Sequence, residues 1–139
     1  MRKFLFFFTA AAFLALAACS SPMGGNADFN VTVTTKTTHP YTGMGVSIGY
    51  VINGVQGMEL NLVRGTTYTF SIDTPGHPFY LTTDAVGGAG APGEITDGVT
   101  GSLTDVGTLT FTPGATTPGL IYYQCGVHQY MGWKINVTG

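Results

Sequence analysis

Apolar and polar residues alternate along most of this chain with a period of two. In FNVTVTT (29–35), Phe29, Val31 and Val33 fall on one face and Asn30, Thr32 and Thr34 on the other, as in a half-buried strand. Comparable runs follow: VSIGYVI (46–52), MELNLV (58–63), TYTFSI (67–72), PFYLTT (78–83), GTLTFT (107–112), LIYYQC (120–125) and WKINVT (133–138). Turn residues punctuate them, with NG at 53–54, RG at 64–65 and TPG at 74–76 and 112–114. Seven or eight short strands and no helical periodicity predict an all-β domain, an antiparallel β-sandwich with Greek-key links. The many threonines agree, because β-branched hydroxyl residues suit the solvated face of a sheet.

Two stretches break the rhythm. Residues 84–106, DAVGGAGAPGEITDGVTGSLTDV, form a glycine-rich segment too long for an inert connector. It is expected either to cover one end of the sandwich, to bind a partner, or to be a mobile excursion. The other is the start of the chain. Arg2 and Lys3 precede an apolar run, FLFFFTAAAFLALAA, that is short for a membrane span and has the layout of an export signal. LAAC (16–19) resembles a bacterial lipobox, which implies lipid attachment at Cys19 and removal of residues 1–18. Residues 19–27 then form a lipidated, turn-rich tether, and 28–139 form one domain of ordinary size. Ser20 and Ser21 imply the periplasmic face of an outer membrane as the address, with the lipid as membrane anchor.

Charge narrows the partners. Lys36, Arg64 and Lys134 face seven acidic residues after Cys19, so the exported part is acidic. With no basic patch or stripe, it is a poor nucleic-acid binder. An acidic surface suits docking to a positively charged redox protein in the envelope, and the domain is expected to be a monomer.

The chemistry gathers in YYQCGVHQYMG (122–132). The chain has two cysteines. With Cys19 claimed by lipid, Cys125 has no disulfide partner in an oxidising compartment, and a metal would protect it. Cys125 ends a strand, Gly126 lets the chain turn, and His128 and Met131 follow at three-residue steps. Thiolate and thioether are soft donors and imidazole suits copper, zinc, nickel and iron. A further histidine, His77 in DTPGHPFYL, opens a strand behind a turn, with Pro78 biasing it to extended backbone. Taken singly, Cys125 reads as a small buried hydrophobe, His77 as a structural histidine and Met131 as core filler. A nucleophilic Cys125–His128 pair would lack an orienting third group. Zinc would accept the Cys and two His, but a thioether favours Cu(I). His39 has no partner at a telling distance and reads as a surface residue, or with Met44 as a secondary copper-capture pair.

GHPFYL followed some fifty residues later by YYQCGVHQYMG resembles the cupredoxins, the type 1 copper proteins. The resemblance runs from LNLVRGTTYTF to the C-terminus. It implies His77, Cys125 and His128 as strong ligands, Met131 as the axial one, one copper ion cycling between Cu(II) and Cu(I), and one-electron transfer without enzymatic turnover. Two positions depart from it: Gly76 and Pro78 flank His77 where many members have an asparagine that ties the ligand loops, and Trp133 stands where a second glycine is common. Copper capture or delivery through the same four residues is the alternative, and an adhesive envelope module stabilised by metal is a third reading.

Overall fold

The computed structural model describes residues 27–139; the proposed signal, Cys19 and most of the tether lie outside the described residues. Ten strands follow in order: β1 (Phe29–Thr35), β2 (Ile48–Ile52), β3 (Val55–Gln56), β4 (Leu60–Val63), β5 (Tyr68–Asp73), β6 (Phe79–Thr82), β7 (Val99–Thr100), β8 (Val106–Phe111), β9 (Leu120–Cys125) and β10 (Trp133–Thr138). Among the described residues no helix is present. The extra two strands beyond the expected eight are the two-residue β3 and β7, too short to show a period.

The strands form two sheets, ordered β3-β2-β1-β5-β8-β7 and β4-β10-β9-β6. Their inward faces meet in one core. Val31, Tyr50, Ile52, Phe70, Ile72, Leu109 and Phe111 come from the first sheet, and Leu60, Leu62, Phe79, Leu81, Ile121, Tyr123, Ile135 and Val137 from the second. Each large apolar side chain so enclosed stabilises the fold by about 2 kcal/mol relative to exposure. The expected β-sandwich is therefore present. Six strand pairs are antiparallel, while β1–β5 and β4–β10 are parallel. The chain changes sheets five times, after β3, β4, β5, β6 and β8, so strands distant in sequence come to lie side by side, and alternation carries no information on direction.

NG at 53–54 closes the β2–β3 hairpin with both residues left-handed, Asn53 at φ 48° and Gly54 at φ 83°. That is the twist a two-residue hairpin loop requires.

All four residues of β6 are buried, and segment 84–106 is the reason. Tyr80 Oη and Thr82 Oγ1 both donate to Pro92 O, at 3.2 and 2.6 Å. Along the strand's outer side, Leu103 N–H donates to Phe79 O, Phe79 N–H to Thr104 O, Ile95 N–H to Leu81 O and Thr83 N–H to Gly93 O. The segment is thus a bonded cover over β6, which sits next to the end of β9 where Cys125 lies.

Candidate metal centre

His77 is held by its backbone. Its N–H donates to Thr74 O at 2.8 Å, closing a turn through Gly76 at φ 79°, and its carbonyl accepts Thr74 Oγ1 at 2.9 Å and Tyr50 Oη at 2.8 Å. Gly76 N–H donates to Asp105 Oδ2 at 2.9 Å, and Thr74 N–H to Asp105 O at 2.7 Å. One residue downstream, Pro78 O accepts Gly126 N–H at 2.9 Å, and Phe79 stands opposite Cys125 in the β6–β9 register. The Gly126–Pro78 bond and the β6–β9 register join the His77 turn to the Cys125 loop, while Asp105 braces the turn itself.

Cys125 ends β9 fully enclosed, and its thiol is free of any disulfide. Val127 N–H and His128 N–H point at Sγ from 3.4 and 3.5 Å. His128 Nδ1 lies 3.9 Å from Sγ, and the His77 and His128 rings are 4.9 Å apart between centroids. One donor atom each from His77, Cys125 and His128 lies within 4.8 Å of the other two. An ion bonded at about 2.0–2.3 Å spreads its donors by at most about 4.5 Å, so the cluster is near the span of one ion.

The donor set fits a soft metal on a further observation. His77 Nδ1 is buried and has no hydrogen-bond partner, a costly state for an imidazole nitrogen unless it donates its lone pair. Burial, and secondarily the His128 ring, push the His77 pKa down, toward the neutral ring that a ligand must be. Tyr50, whose hydroxyl bonds to His77 O, is pushed well above the usual phenol range by burial first and by the neighbouring Cys125 thiol second. It stays a neutral donor.

Met131 is also fully enclosed, three residues beyond His128. Its carbonyl accepts Tyr50 N–H at 2.8 Å, and the next amide, Gly132 N–H, donates to buried Gln124 Oε1 at 2.9 Å. A Cβ at Gly132 would lie 1.6 Å from Tyr123 O; no larger residue fits. Trp133 packs edge-on against Tyr41, centroids 4.8 Å apart. The structure thus brings His77, Cys125 and His128 together and encloses Met131 on the same loop.

His39 departs from the surface role expected for it. It is only 3% exposed, its Nδ1 accepts Tyr41 N–H at 3.0 Å, and its Nε2 is buried without a partner. Burial, and then the charge of Lys36, depress its pKa to about 4. Small residues make the space: a Cβ at Gly57 would meet His39 Nε2 at 2.9 Å, and one at Gly49 would meet His39 Cδ2 at 2.8 Å. Met44, by contrast, is 44% exposed. Gly49 inside the apolar run 46–52 was the sequence signal for that close approach. Asp105 had no such signal, because its role depends on the fold bringing residues 74–77 beside it.

Residues 46–139 match the family model of the At5g54830-like domain, and the chain belongs to that family. Protein Skeletor, isoforms B/C, of Drosophila melanogaster is 29% identical over 152 residues, covering 68% of this chain and 19% of that protein. The "Cytochrome b561, DM13 and DOMON domain-containing protein At5g54830" of Arabidopsis thaliana is 34% identical over 99 residues, covering 63% of this chain and 10% of that protein. The chain spans less than a fifth of the length of these curated relatives. Among solved structures, reduced rusticyanin is similar at 19% identity and a TM-score of 0.41, with 78% of each chain covered.

Proposed function

We propose that this member of the At5g54830-like domain family is a mononuclear copper protein that carries single electrons, with His77, Cys125, His128 and Met131 as the residues that would hold the ion. The observation that carries the reading is the convergence of one thiol and two imidazoles, from β9, its following loop and the turn before β6, within 4.8 Å. Copper so held supplies a reversible Cu(II)/Cu(I) couple.

The chain's own part is to keep that couple from rearranging. The N–H groups of Val127 and His128 donate to Cys125 Sγ and fix the direction in which it faces the cluster. The Thr74, Tyr50 and Asp105 bonds fix the turn that presents His77. Tyr50, Phe79 and Tyr123, all buried and in mutual ring contact, keep water from the thiolate side, and a dry, hydrogen-bonded surround tunes potential. His77 and His128 are half-buried, leaving the imidazole side as the path for an electron to leave.

The Arabidopsis relative is named for a cytochrome b561 carried in the same chain, which supports a redox setting. An acidic surface suits a positively charged redox partner, met as a monomer. A lipid at Cys19 would keep the carrier beside membrane-bound partners in the bacterial envelope.

Addition of Cu(II) to the purified protein is expected to give an intense visible thiolate-to-copper absorption and a reversible one-electron wave, both lost in Cys125→Ser. A colourless protein that binds Cu(I) and surrenders it readily would replace the carrier with a delivery protein. No copper binding at all would sink both.

A further inference from the structure

Lys36 is the one buried cation of the described domain, 8% exposed, and it has no carboxylate partner among the described residues. Its ammonium instead donates to three backbone carbonyls: Tyr41 O at 3.2 Å, Met44 O at 2.5 Å and Tyr130 O at 3.0 Å. An ammonium has three protons, so every one is used. Two of the carbonyls belong to the loop between β1 and β2 and the third to the loop carrying His128 and Met131.

The third carbonyl stands at a strained position. Tyr130 has φ 60°, a left-handed backbone that costs a residue with a Cβ about 1–2 kcal/mol. Its neighbours enclose it from both sides. Its N–H donates to Val86 O at 2.8 Å, its ring meets Tyr41 with centroids 5.1 Å apart, and the β1–β2 loop lies so close that a Cβ on Gly45 would meet Gln129 O at 2.5 Å and Tyr130 Cδ2 at 3.0 Å. Strain of this kind persists where surrounding bonds over-determine it.

We propose that Lys36 is a positioning residue: by clamping the Tyr130 carbonyl to the β1–β2 loop, it holds Tyr130 left-handed and thereby sets the approach of Met131 to the metal centre. The clamp itself is a property of the metal-free chain; its effect on an axial ligand rests on the copper reading. The stem of Lys36 reaches this place because Gly49 leaves room for it, where a Cβ would meet Lys36 Cγ at 2.8 Å.

The test is amide hydrogen exchange in the metal-free full chain. Lys36→Met keeps the apolar stem and removes the donors. Exchange at Tyr130 and Gly132 is expected to rise by about tenfold or more, with the Val137 amide, bonded to Gly119 O at the far end of the domain, unchanged. Adding Tyr130→Gly, which adopts positive φ without strain, is expected to return the Gly132 rate most of the way. Unchanged rates in Lys36→Met, a rise shared equally by Val137, or a rise that Tyr130→Gly leaves in place would each overturn the proposal. If Lys36→Met does not fold, Lys36→Leu, which also keeps an apolar stem and has no donor, is read by the same criteria. With copper added, a shifted thiolate absorption in Lys36→Met is expected. Loss of that absorption in the unaltered protein would instead count against the copper reading and leave the exchange result standing.

Discussion

Acidification should weaken this domain through His39. An unstructured histidine titrates near 6.5, whereas in the fold His39 is held to about 4 by burial and by the charge of Lys36. As pH falls from about 6.5 to about 4, the unfolded chain takes up a proton that the folded chain refuses, so stability present above 6.5 is lost across that window. Between pH 7 and pH 5, a shift of this size costs about 2 kcal/mol, and below pH 4 about 3 kcal/mol. With a urea slope of about 1–2 kcal/mol per molar for a domain of this size, the pH 5 midpoint should fall by about 1–2 M.

His77 is depressed in the same direction, so the assay needs an internal control. His39→Asn removes the titration while its Oδ1 can still accept the Tyr41 N–H that Nδ1 now accepts. Urea denaturation of the metal-free protein at pH 7, 6 and 5, with and without the substitution, isolates the His39 share as the difference between the two slopes. Equal pH slopes in both proteins would refute the argument that His39 is a buried neutral ring. A steeper slope in His39→Asn would reverse its sign.

Two further outcomes follow from packing at the site. Gly132→Ala places a methyl carbon 1.6 Å from Tyr123 O, forcing the β9–β10 ladder apart, and should cost more than the ~1–3 kcal/mol typical of overpacking by thermal or urea unfolding; a loss below about 1 kcal/mol would contradict that steric account. Asp105→Ala frees Gly76 N–H from its carboxylate and should weaken copper affinity by about 10- to 100-fold, the usual range for a ligand's outer support. Titration against a competing chelator measures it, and an unchanged constant would show that the Thr74 and Tyr50 bonds suffice.

The strands were legible because their chemistry is local. FNVTVTT, LIYYQC and WKINVT coincide with β1, β9 and β10 to the residue, since one face of each is buried and a slip by one position would expose the core set. The parallel β1–β5 and β4–β10 pairings were not legible, because a period of two is the same read in either direction. The donors His77, Cys125 and His128 could be picked out by residue type and spacing. What surrounds them could not: Asp105 and Tyr50 act through carbonyls and amides that meet only after the sheets close. The burial of Lys36 was equally illegible, since nothing in its neighbours announces three carbonyls. Segment 84–106, whose composition fitted cover and mobile loop equally, is resolved as cover by three backbone bonds to β6 and a fourth to Thr83 just beyond it.

Those bonds have a bearing on how the molecule behaves in company. Strands at the margin of a sheet ordinarily present a row of vacant amides to which another chain can add, the route to swapped or fibrous species. On β6 most of that row is taken by the chain's own backbone, beside the His77, Cys125 and His128 cluster. Another copy of the chain meeting that margin would find side chains and little free backbone to zip onto, which disfavours strand addition there.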